Sequence, residues 1–115
     1  MILSQEKQSK PVLAVSEAAY QVRCRPAPCD HDALQEKGKE QYAQGLLAAA
    51  LVSYEAAWNC KQDPLYAEKS FIVACNIPNV GKAKLFWKRM NSAMKQRALM
   101  ICVRNQITEE MLNAP

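Results

Sequence analysis

A cysteine and the only histidine of the chain lie together in the segment Cys29-Asp30-His31. A thiol beside an imidazole can act as an activated nucleophile, but such a pair also needs a third group that orients the base, and neighbours in sequence rarely have the required geometry. Helix capping by Asp30, followed by an exposed His31, accounts for the segment without catalysis. We therefore predict no catalytic residues, no cofactor and no enzymatic activity.

The cysteines also raise a metal-binding alternative. Cys24, Cys29 and His31 could supply three zinc ligands, and Cys60 could supply a fourth. The spacing is not that of a standard zinc knuckle, and two prolines lie inside it. We therefore predict no metal site and expect the cysteines to form disulfides or to stay as free thiols.

The chain of 115 residues contains five cysteines, which is many for a small cytosolic domain. This number favours an oxidising compartment, so a periplasmic, envelope or secreted location is favoured over the cytoplasm. An odd number leaves at least one thiol unpaired within the chain. Buried free cysteines are the alternative, because Cys packs well in helical cores.

Composition indicates a single all-α domain. Half of the residues are hydrophobic, 7% are aromatic, and the three glycines are too few for a nucleotide-binding α/β fold or a turn-rich β sandwich. Long alanine-rich segments with a helical period agree with this fold class. No run of 18 apolar residues occurs, so the chain is not predicted to span a membrane.

Helix start and stop signals divide the chain into an N-terminal arm and a helical domain. The arm, residues 1–29, is expected to be partly disordered, and the helical domain covers residues 30–115. Within the domain we expect hairpins over residues 30–61 and 63–91 and a capping helix over residues 92–112, with a last turn that ends at Leu112.

The first hairpin has the clearest signals. Asp30 or Asp32 can cap its first helix, which is expected to end near Gln44, and Gly45 follows where a left-handed backbone is needed. Gly38 in mid-helix costs on the order of 1 kcal/mol against Ala, a cost usually accepted because a neighbouring helix passes close by. The second helix is expected to bury an apolar stripe made of Leu47, Ala50, Leu51, Tyr54, Ala57 and Trp58.

The second hairpin begins at Asp63 and Pro64, which suit the cap and the first helical position. Pro78 stops this helix, and Asn79 caps the next one, expected over about residues 80–91. A fifth helix, roughly over residues 93–106, would cover the apolar side that a stack of two hairpins leaves open.

Apolar residues recur at an offset of 33: Ala50 with Ala83, Tyr54 with Trp87, and Ala57 with Met90. Together with Gly38, Gly45 and Pro64, this spacing of small and aromatic residues resembles the tetratricopeptide repeat (TPR), a helical hairpin of about 34 residues. The resemblance covers roughly residues 31–91. The second copy departs from the pattern, since Pro78 replaces the turn glycine and Met90 replaces the last alanine.

The second half of the chain resembles a small TPR module of myxobacteria and related bacteria, through residues 74–76, 79–88 and 101–107. That resemblance implies two repeats and a closing helix, and it implies a cysteine pair between Cys75 and Cys102. A Cys29–Cys60 bridge would pin the N-terminal arm and leave Cys24 free, although the connectivity stays open at this point.

In TPR proteins the first helix of each hairpin lines a groove that holds a protein or peptide. By this resemblance the candidate groove residues are Gln35, Lys39, Tyr42, Glu68, Ile72 and Asn76. Tyr54 and Trp87 occupy packing positions and are expected in the core. The Lys/Asn clamp for carboxylates is incomplete, so that activity is not predicted.

Basic residues are concentrated in residues 64–115, which contain eight basic and three acidic residues. The candidate basic face consists of Lys82, Lys84, Lys88 and Arg89, and Lys95, Arg97 and Arg104 could also meet phosphates. No nucleic-acid motif accompanies them. A solvated helical face or an acidic protein partner is therefore favoured over nucleic acid.

We therefore predict a protein–protein interaction module that binds a peptide or a partner protein and takes no small-molecule substrate. The alternative is a structural accessory domain of a larger envelope or signalling protein, held together by disulfides. Residues 12–15 are apolar and could support a homo-oligomer.

Overall fold

The computed structural model describes residues 29–115, and all regular structure within them is helical, with no strand. The six helices are α1 (His31–Ala43), α2 (Leu47–Cys60), α3 (Pro64–Asn76), α4 (Val80–Trp87), α5 (Ser92–Arg104) and α6 (Glu109–Asn113). The predicted all-α fold is confirmed for this part of the chain. The predictions made for Cys24 and for residues 12–15 fall outside the described residues.

Every described helix except α2 begins where a side chain accepts a hydrogen bond from one of its first backbone N–H groups. The Asp30 carboxylate caps α1 by accepting a hydrogen bond from the Ala33 N–H, so Asp30 is the cap and Asp32 lies in the first turn. The remaining capping side chains are Asp63 for α3, Asn79 for α4, Asn91 for α5 and Thr108 for α6.

The α1–α2 hairpin closes as its sequence predicts. Gly45 has a φ of +79°, the left-handed backbone expected just after α1. Gly38 lies against the ring of Tyr54, since an added Cβ would be 2.9 Å from the Tyr54 Cε1 atom. The predicted stripe of α2 is buried except for Leu47, which is half-buried.

The α3 helix is the centre of the fold, because it packs against α2, α4 and α5. Its Phe71 ring lies 5.5 Å from the Trp87 ring on α4. The α4 helix ends at Trp87, earlier than the predicted residue 91, because the Arg89 and Met90 N–H groups bond three residues back, to Phe86 and Trp87, in turn geometry. Met90 is buried, but it lies in the turn after the helix.

The region predicted as the capping helix contains α5, a turn and α6, close to the fifth helix over residues 93–106 and the last turn that the sequence predicts. Gln106 has a φ of +66° and breaks the chain between α5 and α6. The α5 helix packs on α3 and α6 packs on α4, where Trp87 Nε1 donates a hydrogen bond to Asn113 Oδ1 at 2.8 Å. The described helices therefore have a repeat-like order of hairpins.

Candidate interaction site

Two polar contacts join α1 to α3. The His31 Nδ1 atom lies 2.6 Å from the Tyr66 hydroxyl, and Asn76 Nδ2 donates a hydrogen bond of 2.7 Å to the Tyr42 hydroxyl. One contact is near the start of both helices and the other near the end of both, with separations of 35 and 34 residues. The two helices therefore run in the same direction, one hairpin apart.

The contacts between α3 and α5 follow the same direction. Glu68 accepts two hydrogen bonds from Arg97, from Nε at 2.7 Å and from Nη2 at 2.8 Å. Further along, Asn105 Nδ2 donates to Asn76 Oδ1 at 3.1 Å and also to the Ile101 carbonyl at 2.8 Å. A line of amide and hydroxyl groups thus crosses α1, α3 and α5.

The predicted groove residues divide into three groups. Tyr42 and Asn76 are joined by a hydrogen bond. Ile72 lies with Tyr42 at a cavity of about 150 Å³, which is also lined by Tyr54, Lys69 and Val73.

The other predicted groove residues do not line this cavity. Lys39 is exposed and Gln35 is half-buried, both on α1. Glu68 is buried and both of its oxygens bind Arg97, so it connects α3 to α5 and offers no free carboxylate.

Two residues of this face were not among the groove candidates. Lys69 precedes Ile72 by three residues and Asn76 by seven, so helical spacing alone places it on the same side of α3. Asn105 carried no such signal, because its contact with Asn76 depends on how α5 packs against α3.

Burial and charge change the pKa of three groups on or beside this face. Burial first, and then the nearby Glu36 carboxylate, raise the pKa of Tyr54 above its ordinary value. Burial also raises the pKa of Tyr66, and aspartates near the starts of α1 and α3 raise it further. The hydrogen bonds to Glu68, and the negative charge of Glu68, raise the pKa of Arg97. Both tyrosines therefore stay neutral and Arg97 stays charged around neutral pH.

The predicted basic face is largely engaged with the chain itself. Lys82 Nζ pairs with Glu55 at 2.6 Å, and Lys84 Nζ donates to the Pro115 carbonyl at 3.1 Å. The Arg89 guanidinium lies over the Trp58 ring at 5.1 Å, and within the described residues Lys88 is exposed. These contacts support a structural role for much of this charge.

The two predicted disulfide pairs are confirmed. Cys29 and Cys60 have Cα atoms 5.6 Å apart, and Cys75 and Cys102 have Cα atoms 4.6 Å apart, both within the usual range for a bridge. Two disulfides indicate an oxidising compartment.

The Cys29–Cys60 disulfide excludes both the nucleophile and the zinc site considered for the Cys29-Asp30-His31 segment. Cys29 and Cys60 are bonded to each other, so neither is a free nucleophile or zinc ligand. His31 is half-buried, not exposed as its sequence position suggested, because its ring packs against Tyr66 with a centroid distance of 5.7 Å. Over residues 29–115 the structure has no cluster of metal-ligating side chains and no helix that could cross a membrane.

No family model, curated protein or solved structure matches the chain. What the face of α1, α3 and α5 can bind follows from its own contacts and charges. From here on, the groove face means Lys39, Tyr42, Lys69, Ile72 and Asn76.

Asn76 is the residue that joins all three helices of the face. Replacing it with alanine removes the hydrogen bonds to Tyr42 and from Asn105, each worth about 1 kcal/mol. We expect Asn76→Ala to lower the free energy of unfolding by about 1–2 kcal/mol, measured by urea denaturation of the oxidised protein. Asn59 on α2 is exposed, so Asn59→Ala is the matched control and is expected within about 0.5 kcal/mol of the unaltered protein. Equal losses in the two variants would contradict the role given to Asn76.

Proposed function

We propose that the helices form a TPR-like stack whose groove face binds an extended peptide segment of a partner protein. The observation that supports this most is the parallel arrangement of α1 and α3, one hairpin apart, with Gly38 under the Tyr54 ring. TPR hairpins use parallel first helices, and they place a small residue where the two helices within a hairpin come close.

The groove face offers two kinds of contact to a peptide. The cavity between α1 and α3 is lined by the Tyr42 and Tyr54 rings and by Ile72, which suits an apolar side chain. Lys69 lines the same cavity and Lys39 is exposed on α1, so both can meet a carboxylate. The preferred ligand is therefore a segment with an apolar residue beside an acidic one. No catalytic step is assigned to the protein.

A random peptide library displayed on phage and panned on the oxidised protein tests this function. We expect enriched peptides that are acidic, and Lys69→Glu is expected to weaken their binding at least about tenfold, because it places a negative charge at the cavity. Lys39→Glu should weaken binding less, since Lys39 is more exposed.

Lys88→Glu is the matched control, because it makes the same change of charge at an exposed site after α4. If Lys88→Glu removed binding and Lys69→Glu did not, the basic face would replace the groove face as the binding site. If no peptide were enriched, or if both variants bound like the unaltered protein, the proposed groove function would be wrong.

The second candidate is a structural accessory domain of a larger envelope or signalling protein. The fully buried Cys75–Cys102 bridge between α3 and α5 supports it, because such a bridge contributes stability and no binding surface. Both candidates place the protein in the periplasm, at the envelope or outside the cell, where disulfides persist. Absence of peptide binding with a stable oxidised fold would favour this second candidate.

A further inference from the structure

The α5 helix has one buried side and one exposed apolar side. It buries Ala98 and Cys102 against the rest of the fold. The opposite side carries Gln96, Leu99, Met100 and Val103, which lie within an arc of about 100° at helical spacing. We call these four residues the outer stripe. Met100 is 56% exposed and Val103 is 39% exposed.

In the described part of the chain nothing covers Met100 and Val103 of the outer stripe, whereas Leu99 is half-buried and packs against the core. The last helix of a repeat stack normally presents a polar outer side. Here α6 is the next element, but it is five residues long and packs against α4. Met100 and Val103 of the outer stripe therefore stay exposed beside α6.

A cavity lies beside the outer stripe. It has a volume of about 300 Å³ and is lined by Trp87, Lys95, Gln96, Leu99 and Glu109, among others. Because Gln96 and Leu99 belong to both the stripe and the cavity, a helix laid along the stripe can insert a side chain there, with Trp87 and Leu99 as its apolar contacts. Proteins recognise an amphipathic helix by binding its apolar face along a groove of this kind.

The charged residues beside the stripe are basic, which favours an acidic partner. Lys95 follows the stripe on one side of α5, and Arg97 and Arg104 follow it on the other. The Arg97 side chain is 58% exposed although it pairs with Glu68. No acidic residue occurs between Lys69 and Arg104. Two copies joined through this same face would bring basic flanks together, which is unfavourable.

We propose that the outer stripe of α5 binds an amphipathic helix of a partner protein, with acidic residues on both sides of its apolar face. This surface is separate from the groove face, so it stands or falls independently of the peptide function. The apolar stripe and the cavity supply the buried contacts, and the basic flanks orient the acidic helix.

A designed helix tests the proposal on the oxidised protein with its methionine methyl groups labelled for NMR. The probe is a peptide of about 18 residues with leucines three and four residues apart and glutamates elsewhere. We expect the Met100 methyl signal to move during titration, whereas the Met90 signal stays, because Met90 is buried. Raising the salt concentration should weaken binding, since exposed charges are screened.

Substitutions decide whether the stripe carries the binding. Met100→Glu is expected to weaken binding more than about tenfold, and Met100→Leu to preserve it. Val52 is 66% exposed on α2, so Val52→Glu is the matched control and should bind like the unaltered protein. Four results would overturn the proposal: no binding of the acidic helix, equal binding of its lysine counterpart, no effect of Met100→Glu, or self-association of the chain that Met100→Glu abolishes.

Discussion

Removing the Cys75–Cys102 bridge is expected to lower the free energy of unfolding by about 4–5 kcal/mol, with Cys75→Ala and Cys102→Ala combined in one variant. The two cysteines are 27 residues apart, and the loss of chain entropy in the unfolded state alone contributes about 3.6 kcal/mol for a loop of that length. Both residues are also fully buried, so the smaller alanines remove packing contacts. Urea denaturation followed by far-UV circular dichroism measures the loss.

The second bridge provides the control for this prediction. Cys29 and Cys60 are 31 residues apart, so the entropy contribution is nearly the same, about 3.7 kcal/mol. Cys29 is exposed and precedes α1, so its removal should cost less in packing. We expect the Cys29→Ala, Cys60→Ala variant to be the more stable of the two by about 1 kcal/mol. The opposite order would show that the buried bridge contributes no packing.

The expected loss is large relative to the stability of a small domain, which is typically about 5–15 kcal/mol. The α5 helix depends on this bridge and on the Glu68–Arg97 pair for its position on α3. The outer stripe lies on α5, and Asn105 directly after α5 donates a hydrogen bond to Asn76 of the groove face. Loss of the bridge is therefore expected to disturb both proposed surfaces.

The local features of the fold were predictable because each depends on a few neighbouring residues. Asp63 and Pro64 start α3, and Asn79 starts α4. Gly45 has the left-handed backbone that its position after α1 required. The early end of α4 was harder to predict, because the turn at Arg89 and Met90 interrupts a stretch whose composition still favours a helix.

The site was predictable only in part, for a different reason. Helix start and stop signals placed Tyr42, Ile72 and Asn76 on the first helices of their hairpins, and the TPR resemblance made them groove candidates. It could not show that Asn76 bonds to Tyr42, or that Glu68 is committed to Arg97, because these contacts depend on how α1, α3 and α5 pack. The ion pair between Lys82 and Glu55, which are 27 residues apart, likewise depends on how the helices pack.

Gly38→Leu is expected to lower the free energy of unfolding by about 2–3 kcal/mol. A Cβ at this position would lie 2.9, 3.0 and 3.1 Å from three ring carbons of Tyr54. Tyr54 is buried, so its ring has little room to move away. The helix propensity of the new residue returns up to about 1 kcal/mol, which is less than the expected cost of overpacking. Urea denaturation of the oxidised variant measures the net change.

Gly81 offers the matched control, because it is also a helical glycine but has room for a methyl group. A Cβ there would meet only Asn79 Oδ1, at an ordinary contact distance of 3.6 Å. Gly81→Ala should therefore stabilise the protein by up to about 1 kcal/mol. Gly38→Ala tests the same clash with the smallest side chain and should still be destabilising, by about 1 kcal/mol.

A double-mutant cycle assigns the cost of Gly38→Ala to the Tyr54 ring. Combining Gly38→Ala with Tyr54→Leu removes the ring atoms that the new Cβ would meet, so the cost of the alanine should largely disappear in that background. If Gly38→Ala were as destabilising beside Leu as beside Tyr, the close approach of α1 and α2 would not explain the glycine. The TPR-like interpretation would then lose its most specific residue, because the parallel helices alone are common to many helical stacks.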